Sequence, residues 1–172
     1  APELAAKVQD AISTIKENMA IRRGEVIKAG ENELLSDYIH GESGRIGVIV
    51  RVAVDKPELL EHEAVKAFAF DIALHVAAFR PDFLSAETVD TGYLAEQEEI
   101  FMAQARQLDK PENVLQGIAK GKLKKHLASI CLVDQGFVRD EKRTVLQVAA
   151  DLGKEVAGDV SVTGYVYYSV GQ

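Results

Sequence analysis

Apolar residues recur along this chain first at a helical period and then at a strand period, and the changes of period divide it into segments. Leu4, Val8, Ala11, Ile12 and Ile15 fall three or four apart, which predicts an amphipathic helix over residues 3–17. The period then changes. Met19, Ile21 and the pair Val26–Ile27 flank Arg22-Arg23-Gly24 in a strand-like stretch over 19–28, and Gly30-Glu31-Asn32 marks a turn. Residues 33–54 read as a β-hairpin: Leu34-Leu35 and Tyr38-Ile39 precede Gly41-Glu42-Ser43-Gly44, and Arg45–Val54 is rich in Val and Ile. Nearly every position of Ile46-Gly47-Val48-Ile49-Val50 is apolar, so this strand is expected to be covered on both faces.

Pro57 suits the first position of a helix, where its missing N–H costs nothing. That helix is expected to run to about Phe79, with Val65, Phe68, Ile72, His75 and Val76 on its apolar stripe and Pro81 ending it. His75 on this stripe reads as a satisfied core histidine. Two further helical patterns follow. Residues 92–108 carry Leu94, Ile100, Phe101, Ala105 and Leu108, and residues 111–129 carry Val114, Leu115, Ile118, Leu123 and Leu127. Asp109-Lys110-Pro111 between them leaves room only for an antiparallel helical hairpin. Thr144-Val145-Leu146-Gln147 fits a capping box opening a last helix that ends near Gly153, and alternation over 159–169 gives a terminal strand.

These elements predict an α+β fold. A small antiparallel sheet from about 33–40, 45–54 and 159–169 packs on the 57–79 helix, and the helical hairpin extends from it. The order helix, Ile15-Lys16-Glu17-Asn18, strand at the start is echoed by helix, Gly153-Lys154-Glu155-Val156, strand at the end. Residues 1–28 are therefore read as the end of a preceding core repeat, helix plus strand. Residues 29–172 are read as a core subdomain with the hairpin inserted at about 92–129.

Composition narrows the function classes. A net charge of −7 argues against direct binding along a nucleic-acid backbone, which is driven by Lys and Arg displacing counterions. The local exception is Lys120, Lys122, Lys124, Lys125 and His126, a run that helical spacing spreads around the cylinder as a solvated face. No apolar run approaches the ~20 residues of a membrane span, and no signal peptide is visible. The start without methionine points to processing or a cut chain. Cys131, the single cysteine, reads as a small buried hydrophobe. Phosphate-loop, dinucleotide, zinc-protease, CxxC and serine-elbow motifs are missing, and His40, His62, His75 and His126 lack metal-ligand rhythm. No catalytic, cofactor or metal residue is nominated, and an enzyme is not expected.

Four stretches instead carry a resemblance. Ile15-Lys16-Glu17-Asn18-Met19-Ala20-Ile21-Arg22-Arg23 is similar to I-G-E-N-[IV]-x-[IV]-R-R, and Tyr38-Ile39-His40 with Arg45-Ile46-Gly47-Val48-Ile49-Val50 to Y-x-H followed by R-[IV]-G-V-L-V. Asp71–Ala78 with Pro81 and Phe83 resembles [IL]-A-M-H-[IV]-A-A-x-x-P. Residues 111–145 carry Gln135-Gly136-Phe137-Val138-Arg139 where Q-P-F-V is usual. In this order, from about residue 12 to 170, they resemble the core of the elongation factor Ts family. Lys16 stands where the family has Gly, and Gly136 where it has Pro. Its N-terminal three-helix domain and its T-D-F-V-A motif have no match; Val54 leads directly into Asp55-Lys56-Pro57. The resemblance thus covers the back half of the core and implies a fragment or a divergent member.

The resemblance implies a guanine-nucleotide exchange factor of translation elongation, in a bacterial cytoplasm or organelle matrix, that binds elongation factor Tu. It implies contacts from Ile15, Lys16, His40, Gln135, Phe137, Val138 and Arg139, and a helical hairpin at 92–129 that projects from the core; the plainer reading of that hairpin is a packing arm for a partner or for a second copy in a homodimer. From the residues alone, Phe137-Val138 either meets a partner or plugs the core, and His40 is either a contact or an ordinary turn residue. A purely structural interaction core is the alternative reading.

Overall fold

The computed structural model describes residues 2–41 and 44–171. Glu42 and Ser43, the middle of the expected hairpin loop, lie outside the described residues. Strand β1 (Glu33–His40) pairs antiparallel with β2 (Ile46–Val54), which pairs antiparallel with the terminal β5 (Val160–Ser169), in the order β1-β2-β5. β2 is central, and its Val48, Val50, Val52 and Val54 alternate into the core. Its other face is only partly covered: residues 25–28 lie over Ile49, Arg51 and Val166 across a gap of about 210 Å³. The all-apolar run thus marks one fully buried face and one half-covered face.

The β2–β5 ladder slips between Arg51 and Val52. At this bulge Gly164 lies so close to Arg51 that a Cβ would sit 2.9 Å from the guanidinium Nη2.

Against the buried face packs α2 (Glu63–Phe79), through Val65, Phe68, Ala69, Ile72, Ala73 and Val76. The helix expected to start at Pro57 is broken. Pro57–Glu61 form a 3₁₀ turn, and His62 adopts extended backbone at φ −70°, ψ 125°. His62 Nδ1 then accepts from the Ala64 N–H at 3.2 Å, capping α2. The helix ends on Arg80, left-handed at φ 47°, just before Pro81.

Helices α3 (Thr91–Ala105) and α4 (Glu112–Ile130) form the antiparallel hairpin. Asp90 Oδ1 caps α3 by accepting from Gly92 N at 2.8 Å and Tyr93 N at 3.1 Å. The base is fastened to the body where Ile130 O accepts from the N–H groups of Asp82 and Phe83. After α4 comes a two-stranded ribbon, β3 (Gly136–Phe137) with β4 (Asp140–Thr144), leading into α5 (Val145–Glu155). The capping box forms as its residues require: Thr144 Oγ1 accepts from Gln147 N at 3.2 Å, and Gln147 Oε1 from Thr144 N at 2.9 Å.

α1 (Pro2–Ile15) comes from the first period of the sequence, yet contributes to neither hydrophobic cluster. The strand expected over 19–28 does not form; these residues cross the outer face of the sheet without joining a ladder. Their side chains rest on strands instead: Arg23 lies over the Tyr168 ring, and Tyr168 Oη donates to Glu25 Oε1 at 2.7 Å.

Candidate partner-binding surface

The end of β1 and the middle of α2 meet at one rim of the sheet. Tyr38 and His40 are two apart in β1 and so share a face. Tyr38 packs on the core and sets its hydroxyl 2.9 Å from His40 Nδ1, leaving the imidazole exposed. The Tyr38 ring meets Phe70 edge-on, with centroids 6.0 Å apart at 83°. Phe70 is 44% exposed, an aromatic ring on the polar side of α2. The next residue, Asp71, accepts from Arg139 Nε at 3.0 Å and Nη2 at 2.9 Å through the same oxygen. This bond raises the Arg139 guanidinium further above its usual range. The Arg139 side chain remains 60% exposed, so the pair fixes its direction more than it stabilises the fold.

His40, Phe70 and Arg139 thus form an aromatic and cationic rim organised by α2. Val138 lies half-buried beside it against the core. Aromatic rings and arginines of this kind are the side chains that most often anchor protein interfaces.

The other residues nominated from the sequence lie elsewhere. Phe137 is in the core, its ring 6.1 Å from that of Phe68, so of the two readings of Phe137-Val138 the structure supports the core plug for Phe137. Gln135 is also buried, and its side chain spans two elements. Oε1 pairs with His75 Nε2 of α2 at 2.9 Å, and Nε2 donates to Ser129 O, in the last turn of α4, at 2.7 Å. It therefore satisfies a carbonyl that the helix end would leave without a partner. Gln135 and Phe137 hold the 136–139 turn against α2 and the end of α4. Gly136 stands where the resemblance expects Pro, at a close approach of two backbone segments: a Cβ there would sit 2.7 Å from Glu141 O.

Ile15 is the last residue of α1 and Lys16 follows it, on the opposite side of the sheet from α2. Ile15 is 57% exposed. Lys16 sits at φ 60°, a left-handed helix end that glycine adopts without strain, which accounts physically for the family's Gly there.

His75 is fully buried, stacked on Phe79 at 4.6 Å, and burial pushes its imidazole below the ordinary range. Cys131 is buried too, and burial pushes its thiol up, the reverse of what a nucleophile needs. Among the described residues no group of three or more His, Cys, Asp and Glu is placed to hold a metal, and no helix is long and apolar enough to cross a membrane. Phe70 and Asp71 were missed in the sequence. The available signal was a Phe lying off the apolar stripe of its own helix.

What the fold presents is an α+β body with exposed aromatic and cationic side chains along one rim. The family model described as Elongation factor TS matches residues 1–172. Proteins named Elongation factor Ts are similar to the chain: that of Treponema denticola is 45% identical over 170 residues, 99% of this chain and 60% of the relative. Those of Borrelia recurrentis and of Borreliella burgdorferi strain B31 are 42% and 39% identical, each over 96% of this chain and 59% of the relative. The chain belongs to the elongation factor Ts family, and it spans about 60% of the length of these curated relatives.

Proposed function

We propose that this chain is a docking module for the guanine-nucleotide-binding protein elongation factor Tu, acting in bacterial cytoplasm or an organelle matrix, and that it promotes GDP release by binding. The observation that carries the reading is His40, the histidine of the family's Y-x-H motif, on an accessible rim beside the exposed Phe70. The family match over the whole chain supports it. The mechanism is linkage. A module that binds the nucleotide-free state of its partner more tightly than the GDP state weakens GDP by the same factor. Such coupling needs differential contacts and no acid, base or metal. The family's T-D-F-V-A motif has no counterpart here, so the chain should bind factor Tu yet speed GDP release less than a relative carrying that motif.

Stopped-flow release of a fluorescent GDP analogue, alongside titration of factor Tu, tests this. Wild type should bind, and His40→Ala should weaken binding by about 2 kcal/mol if His40 is an anchoring contact. A folded chain that does not bind factor Tu would overturn the reading and favour a structural interaction core. Release as fast as with a motif-bearing relative would show that core contacts suffice.

A further inference from the structure

The fold engages one nitrogen of the His40 imidazole and not the other. Tyr38 Oη lies 2.9 Å from Nδ1. Among the described residues the hydroxyl has no other hydrogen-bond partner, and Nε2 has none. The contact is built in by the sheet. Both residues stand on one face of β1, opposite Val48 and Ile46 of β2, and their ring centroids are 5.9 Å apart. The Tyr38 ring packs between the core and Phe70, so its hydroxyl has a fixed place from which to reach the imidazole.

The chemistry of the two groups sets the direction of the bond. A phenol oxygen shares its lone pairs with the ring and is a better donor than acceptor, whereas the bare nitrogen of a neutral imidazole is a good acceptor. The Tyr38 O–H therefore donates to Nδ1, and the imidazole proton is placed on Nε2. Nε2 lies on the far side of the ring from that bond, at the exposed end of β1. The helical hairpin holds the opposite case: Tyr93 Oη lies 2.8 Å from Nε2 of His126, which places that proton on Nδ1.

We propose that Tyr38 is a positioning residue. It holds His40 in the Nε2–H form, so that the rim offers factor Tu a neutral, pre-aligned hydrogen-bond donor, and the group that meets it there is an acceptor oxygen of that protein. The proposal rests on the docking reading above. An exposed imidazole without such a partner exchanges its proton between the two nitrogens and turns about its side-chain bonds. Fixing both lowers the ordering cost of binding. The Tyr38 ring serves the fold, and its hydroxyl serves His40.

Long-range proton–nitrogen NMR spectra of the neutral imidazoles, with titration of factor Tu, test the proposal. In the free wild-type chain His40 should show a protonated Nε2 and a bare Nδ1, and His126 the reverse. In Tyr38→Phe, which keeps the ring, the two His40 nitrogen shifts should move toward each other while those of His126 stay in place. Binding of factor Tu should weaken by about threefold to tenfold, the worth of one neutral hydrogen bond. On a His40→Ala background the same substitution should cost nothing more, because Tyr38 acts through the histidine. His40→Gln, whose amide can set an N–H where Nε2–H stood, should bind better than His40→Ala. A proton on Nδ1 of His40 in wild type, unchanged His40 shifts in Tyr38→Phe, or losses from Tyr38→Phe and His40→Ala that simply add would overturn the proposal. So would His40→Gln binding no better than His40→Ala. A wild type that does not bind factor Tu overturns the docking reading instead, and the shifts of the free chain still decide whether Tyr38 sets the tautomer.

Discussion

The body and the helical hairpin of this molecule are stabilised in different ways. In the body, β2 valines meet Ile72 and Val76 of α2 and Val145 and Ala149 of α5, residues far apart in the chain. In the hairpin the buried side chains are Ala105, Leu115 and Ala119, backed by Phe101, Met102 and Ile118, all within a short stretch. The body therefore rests on long-range burial. The hairpin rests on a small satellite cluster, its caps and the pairing of two adjacent helices. α4 even carries Gly117 and Gly121, with nothing within 4 Å of where either Cβ would be. Packing requires neither glycine, and each costs roughly 0.5–1 kcal/mol of helix stability relative to Ala. The lesson is that two equally regular helical patterns in sequence can differ widely in the energy that holds them.

The largest expected effect separates the two regions directly. Ile72→Ala, at a fully buried site, should cost about 2–5 kcal/mol of global stability in urea unfolding. Leu115→Ala should instead release hydrogen-exchange protection across α3 and α4 while the urea midpoint of the body moves much less. Equal losses from both variants, with protection lost everywhere, would make the protein one cooperative unit and erase the distinction.

The joint between the regions comes next. Gln135→Ala leaves His75 Nε2 and Ser129 O without their partner, each a loss of about 1–3 kcal/mol if water does not replace it. Protection should fall first at the end of α4. A variant with wild-type protection there would mean that the Ile130 carbonyl bonds alone fasten the hairpin.

His75 gives the joint a pH dependence. Burial lowers its pKa below 6.5, a shift that the Gln135 bond only partly offsets. The unfolded chain then takes up the proton more readily than the folded one. Stability from the neutral imidazole is complete above about 6.5 and is lost as pH falls from there toward the depressed folded value. Urea midpoints measured from neutral pH down to about 5 should fall more steeply in wild type than in His75→Gln. Parallel profiles would remove His75 from the pH response.

The smallest effect works in the other direction. Gly117→Ala should stabilise α4 by roughly 0.5–1 kcal/mol, read as slower exchange in the hairpin with the body unchanged. No gain would show that Gly117 does not behave as an ordinary interior helix position.

The sequence by itself determined the elements whose information is local. The β1–β2 hairpin, the terminal strand, the α3–α4 pair and the Thr144 capping box all follow from period, turn glycines and cap residues, each acting over a few positions. The place of His40 at the end of β1 was legible for the same reason. Only tertiary structure decided what depends on a distant partner. Residues 19–28 have strand-like composition but no ladder to join, so they cross the sheet as coil. Phe137 and Gln135 read as loop residues until Phe68, His75 and Ser129 enclose them. Phe70 and Asp71 became part of the rim because Tyr38 and Arg139 arrive beside α2. Periodicity reports which side of an element is apolar. Which other element covers that side, and whether anything does, is set by the packing of the whole chain.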